Sequence, residues 1–188
     1  MFLSLSRFID ALNERVGKIV MWCVLIAVLI SSGNAMVRYI FSTSSNAWLE
    51  AQWYLFAAVF LLCSGYTLQK NEHIRIDVVA GRFSRRTQVM IDIFGDIVFL
   101  FPMAAIILYL SVPMVAESIF RNEMSTDAGG LIRWPVKLLI PIGFSLLILQ
   151  GLSEFIKRVA CLMGKHPDIW DKGGHHAAPN TLADGEMP

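Results

Sequence analysis

The sequence predicts an all-α integral membrane protein. It has four transmembrane helices, both termini on the cytoplasmic side (N-in/C-in), and interfacial amphipathic segments on that same side. Three observations predict this. Of 188 residues, 55% are hydrophobic and 16% charged, where a soluble domain carries about a quarter charged residues. Four long runs contain no Asp, Glu, Lys or Arg. Basic residues crowd the segments on one side of those runs. The composition excludes a disordered chain and argues against a soluble enzyme. A net charge of +1 offers nucleic acid no attraction.

A bilayer core about 30 Å thick needs roughly 20 apolar residues of helix. The uncharged runs are Ile19–Val37, Ala51–Gln69, Ile97–Ala116 and Leu138–Ser153. The first three meet that length. The last is short, but Lys137 can snorkel and Trp134 suits the headgroup layer. With their flanks the spans run over about 17–40, 48–69, 89–120 and 135–157 of a membrane domain comprising residues 1–163. Pro135 fits the first turn of the fourth helix, where its missing N–H costs nothing. The third helix exceeds the core in length. Placing 97–116 in the core leaves Asp92 and Asp96, one turn apart, at the inner headgroups. That register avoids about 3 kcal/mol for each buried aspartate, and it sets the i,i+4 pair Glu117–Arg121 at the outer headgroups. Pro102 and Pro113 should kink this helix.

Orientation follows from Lys and Arg in the flanks. The N-terminal segment, the loop between spans two and three, and the C-terminal segment carry twelve of them; the other side carries Arg38, Arg121, Arg133 and Lys137. The positive-inside rule places both termini in the cytoplasm. Gly33-Asn34-Ala35 faintly resembles a cleavage site, but Asp10 and Glu14 stand where a signal peptide is basic, so the segment reads as the first span. Residues 3–16 have apolar positions at helical spacing and predict an amphipathic helix in the inner interface. The alternative is a cytoplasmic extension of span one. Residues 74–88 mix apolar positions with four arginines and read as a short interfacial element on anionic headgroups. The polar residues 164–188 read as a disordered cytoplasmic tail.

Chemistry-bearing patterns are sparse. His73, His166, His175 and His176 fall outside the spans, which disfavours an intramembrane haem. Cys23, Cys63 and Cys161 are isolated and read as inert. No phosphate-cradling loop or nucleophile–base pattern appears. The chain reads as a non-enzyme without catalytic, cofactor-binding or metal residues. The deepest polar groups, Ser31, Ser32, Asn34, Gln52 and Gln150, lie toward one face or the other. Mid-membrane charge, the usual mark of a transport pathway, is missing. Ala27, Ser31 and Ala35 form a small-residue stripe suited to close helix contact, with internal packing as the default. Glu50 opens helix two after possible caps Ser45 and Asn46, where a helix dipole favours an acid. Its functional reading is an ion pair with Arg38 or with a partner. Arg133-Trp134-Pro135-x-Lys137 reads first as an interfacial anchor and second as a docking surface.

Three stretches resemble the small membrane (Q-type) subunit of tripartite ATP-independent periplasmic (TRAP) transporters. They are Ala47-Trp48-Leu49-Glu50-Ala51-Gln52-Trp53, then Asn71-Glu72-His73-Ile74-Arg75-Ile76-Asp77, then Trp134-Pro135-Val136-Lys137 followed by Ile140-Pro141-Ile142-Gly143-Phe144. The second departs from the family's pattern in having Ile76 for valine. With the four-span order the resemblance covers roughly residues 10–160. It implies a multi-pass protein of the bacterial inner membrane. It also implies a large membrane subunit carrying the substrate and sodium sites, so that no cofactor is expected in this chain. A periplasmic binding protein would deliver an organic acid, and the small subunit would be a non-catalytic scaffold. Arg38, Glu50, Arg133, Trp134 and Lys137 would then be candidate docking residues facing the periplasm. His73, Asp77, Asp92 and Asp96 would be structural residues at the cytoplasmic side. Two other classes compete. One is a self-sufficient homo-oligomeric carrier or channel; the other is a membrane enzyme or quinone-linked anchor, disfavoured by the lack of intramembrane histidine.

Overall fold

The computed structural model describes residues 2–43, 45–70 and 85–163. Six α-helices occupy them: α1 (Phe2–Phe41), α2 (Asn46–Leu62), α3 (Ser64–Lys70), α4 (Arg85–Gly95), α5 (Phe101–Phe120) and α6 (Trp134–Leu162). A π-helical turn, Asp96–Leu100, joins α4 to α5. Four continuous runs, Leu3–Phe41, Asn46–Lys70, Arg86–Phe120 and Trp134–Leu162, are long and apolar enough to cross a membrane. The chain is therefore an all-α protein with four membrane-spanning helices. An even number of crossings puts residue 2 and residue 163 at the same end of the bundle, called here the terminal end. The opposite, loop end carries residues 42, 43 and 45 and residues 121–133.

The α6 helix is the hub and packs against every other element. Glycine lets it do so. A Cβ at Gly143 would lie 2.7 Å from the carbonyl oxygen of Leu61, so α2 and α6 approach to backbone distance there. Small residues allow such approach in lipid, where packing rather than water expulsion drives association. The Ala27–Ser31–Ala35 stripe contributes less to internal packing than its spacing suggests: Ala27 is buried, but Ser31 and Ala35 are exposed.

Burial is inverted relative to a soluble protein. The largest fully buried side chains are Gln150, Asn13, Ser6, Ser118 and Ser153. Large apolar side chains face outward, among them Phe60 at 82% exposure and Phe120 at 90%. Lipid solvates such a surface, while polar groups gain by turning inward to one another.

The helices depart from uniform rods at identifiable residues. Residues 3–16 run into the first span without a break, as the extension alternative has it. At about 1.5 Å per residue, the 40 residues of α1 are far longer than a bilayer core. Helix two is interrupted at Cys63, where the Ser64 hydroxyl donates to Leu61 O and the Thr67 hydroxyl to Cys63 O. Hydroxyls bonding back to the preceding turn bend helices. In the third span the amide of Phe101 reaches Asp96 O, five residues back. Pro102 follows directly; its ring and missing N–H disfavour regular α-helical bonding in the preceding turn. Of the interfacial element at 74–88, residues 74–84 lie outside the described residues, as do the tail 164–188, His73 and Asp77.

Candidate functional site: polar clusters at the two ends of the bundle

At the terminal end, α1 presents Ser6, Asp10 and Asn13 to α6, and α6 answers with Gln150, Ser153, Glu154 and Lys157. Both sets follow helical spacing, which puts each on one face. The Ser6 and Ser153 hydroxyls lie 2.7 Å apart, and Ser153 also donates to Asp10 Oδ1 at 2.8 Å. Gln150 Nε2 donates to Asp10 Oδ1 at 2.8 Å and to Glu154 Oε1 at 3.0 Å. Its Oε1 accepts from Asn13 Nδ2 at 2.9 Å. Lys157 Nζ sits between the two carboxylates, 3.1 Å from Asp10 Oδ2 and 2.5 Å from Glu154 Oε1. Among the described residues Asn13 Oδ1 accepts no hydrogen bond, and it lies against Gly65. The one lysine offsets half the charge of a pair of acids that would otherwise be costlier to bury. Beside this cluster Arg158 binds Asp96, and its Nε lies 3.9 Å from Asp92 Oδ2.

At the loop end, residues 121–133 form a tight connection clamped by two glutamates. Glu50, buried on α2, accepts from the Ser125 hydroxyl and from the Leu131 amide at 2.6 Å. Glu123 accepts from the Ser118 hydroxyl at 2.8 Å and from Lys137. Asn46 Nδ2 donates to Ala128 O and Tyr54 OH to Ile132 O, each at 3.0 Å. Within the loop, Met124 and Ile132 pair as an isolated antiparallel bridge, and the Arg133 amide donates to Glu123 O at 2.9 Å. Positive φ at Asn122 (46°) and Gly129 (74°) lets the chain turn at both sides; Asn and Gly tolerate that conformation best. The hydrogen bonds from Lys137 and Ser118 hold the Glu123 carboxyl below its usual range.

The structure thus places the candidate residues as follows. Arg38 is exposed near the end of α1. Glu50 faces the 121–133 loop rather than Arg38, and Lys137 is engaged with Glu123. Arg133 and Trp134 are half-buried where α6 begins, with Arg133 as the residue before its first turn. Ser45 precedes α2 in extended conformation, but its side chain makes no capping bond. Asp92 and Asp96 meet at Arg158. Sequence reasoning missed Ser6, Asp10, Asn13, Ser153, Glu154, Lys157 and Glu123 as partners. The matching three-four-seven spacing of polar residues on α1 and α6 was the available signal. Among the described residues no group of three His, Cys, Asp or Glu is placed to hold a metal, and Cys23, Cys63 and Cys161 carry thiols rather than disulfides.

This geometry defines a class: a polytopic membrane protein whose charges are gathered at the ends of the bundle, leaving the span centres uncharged. Residues 26–161 match the family model for the DctQ component of tripartite ATP-independent periplasmic transporters, and the chain belongs to that family. It is a small membrane subunit of a TRAP transporter. A comparison with curated proteins gave no matching relative.

Proposed function

We propose that this subunit is the static scaffold of its transporter. The large membrane subunit would carry the substrate and sodium sites and move against it. A periplasmic binding protein would deliver an organic acid to the pair. One observation carries this reading. Apart from Ser111, whose hydroxyl donates to Leu108 O of its own helix, the polar side chains buried among the described residues are bonded at the two ends, and no charged residue interrupts the four uncharged runs between them. A carrier for a hydrophilic solute needs polar groups at mid-depth that can change partners. A brace needs rigid cross-links and a large apolar flank, which this bundle has.

In this reading both termini are cytoplasmic, as the basic flanks indicate, and the loop end faces the periplasm. The clamped 121–133 connection then gives a pre-ordered surface to the binding protein. Arg38, Arg133 and Trp134 are the docking candidates there, with Glu50 and Lys137 acting through the loop they fix. Affinity purification of tagged protein from solubilised membranes tests the reading. The expected result is a stable complex with one larger polytopic protein. A well-defined homo-oligomer without it would support the self-sufficient carrier instead.

A further inference from the structure

Two grooves run along the outside of the bundle. One, of about 470 Å³, lies between α5 and α6. The other, of about 570 Å³, lies between the second half of α1 and the start of α2. Its polar members, Asn34, Thr43 and Ser45, gather at the loop end; Ile26, Leu29 and Ile30 continue it toward mid-membrane. A polar mouth on an apolar shaft running along the helix is the profile of a lipid.

Shape and charge identify the occupant. The groove follows α1 for three turns, from Ile26 to Val37. A groove of that length and volume suits an extended alkyl chain. Arg38 lies one turn beyond Asn34 on the same side of α1. It is exposed, and it forms no ion pair among the described residues. The α5–α6 groove has no comparable charge, since Lys137 at its end is bound to Glu123. Gly33 lines the first groove, and a Cβ there would meet nothing within 4 Å. Packing within the chain therefore does not explain a glycine that weakens the helix.

We propose that this groove is a phospholipid site, with one acyl chain along α1 against Trp48 and the phosphate of an anionic lipid paired with Arg38. The site goes beyond the scaffold reading, requires nothing of the large subunit's activity, and gives Arg38 to the lipid, leaving Arg133 and Trp134 as the docking candidates.

Native mass spectrometry of the full chain in detergent tests it, using phosphatidylglycerol and phosphatidylcholine with the same acyl chains. One phosphatidylglycerol should bind per chain, in preference to phosphatidylcholine. Arg38→Gln should weaken phosphatidylglycerol about fivefold, the worth of one basic residue near an anionic headgroup, and bring the two lipids level. Gly33→Leu, whose side chain would enter the open groove, should abolish binding of both. Gly95→Leu, at another glycine with open space around it, should leave binding unchanged and controls for the glycine-to-leucine change itself. Equal phosphatidylglycerol binding by wild type and Gly33→Leu would overturn the proposal, as would the absence of any preference for the anionic lipid. So would a Gly33→Leu protein that keeps its lipid but no longer co-purifies with the large subunit, because the groove would then hold a protein.

Discussion

Gln150 of α6 donates a hydrogen bond to Asp10 of α1 across 2.8 Å and 140 positions of sequence. Its amide nitrogen also serves Glu154, its oxygen receives Asn13, and its side chain is fully buried. One carboxamide therefore ties the first helix of the bundle to the last. Unlike a hydrophobic contact, this bond fixes register, because a shift of either helix strands polar groups in lipid.

Gln150→Leu keeps the volume but removes two donors and an acceptor. It should lower stability by about 1–3 kcal/mol, the cost of leaving buried partners unsatisfied. Thermal unfolding in detergent measures this. An unchanged midpoint would show that the partners find other bonds.

Lys157→Met leaves Asp10 and Glu154 close together without their cation. The expected loss is larger, about 3–5 kcal/mol, as for breaking one side of a buried ion pair. The double variant Lys157→Met/Glu154→Gln removes the excess charge and should recover a large part of that loss. If it is as unstable as the single variant, packing of the lysine stem rather than charge explains the effect.

Gly143→Leu and Gly33→Leu make a contrasting pair. The first drives a side chain into the Leu61 backbone and should cost at least about 1–3 kcal/mol through overpacking. The second meets open space and should gain about 1 kcal/mol at most, from helix propensity. Expression level and thermal midpoint, compared side by side, check both directions.

The loop clamp has a pH signature. Glu123 has its carboxyl lowered from an ordinary value of 4.5 by Lys137 and Ser118. Its stabilisation is therefore complete above that ordinary value and disappears as the pH falls through the lower folded value. The difference in midpoint between wild type and Glu123→Gln should be constant near neutrality and shrink in acid. A difference that persists undiminished to the acid limit of folding would remove Glu123 as the titrating group.

Much of the fold is legible in the sequence because lipid imposes a crude rule. Uncharged runs of roughly 20 residues mark crossings, and the runs at 19–37, 51–69, 97–116 and 138–153 all fall within the four helical segments long enough to span. The terminal-end cluster is not legible in the same way. Asp10 and Asn13 form the polar side of an amphipathic pattern, and periodicity alone says that a side is polar without saying what covers it. Water, headgroups and the Gln150–Lys157 face of another helix give the same pattern. The break at Cys63 depends on two hydroxyls bonding backward, which sequence spacing does not specify. At the loop end, Glu50 reads from sequence as a dipole-favoured acid opening helix two or as an ion-pair partner of Arg38 or of another protein, because its partner residues, Ser125 and Leu131, follow it by 75 and 81 positions.

Solute flux into proteoliposomes tests the scaffold account most directly. The purified chain alone should give no uptake of organic acids above protein-free vesicles, with or without a sodium gradient, while addition of its large membrane subunit and binding protein should produce uptake. Saturable uptake or steady current from the lone chain would contradict it.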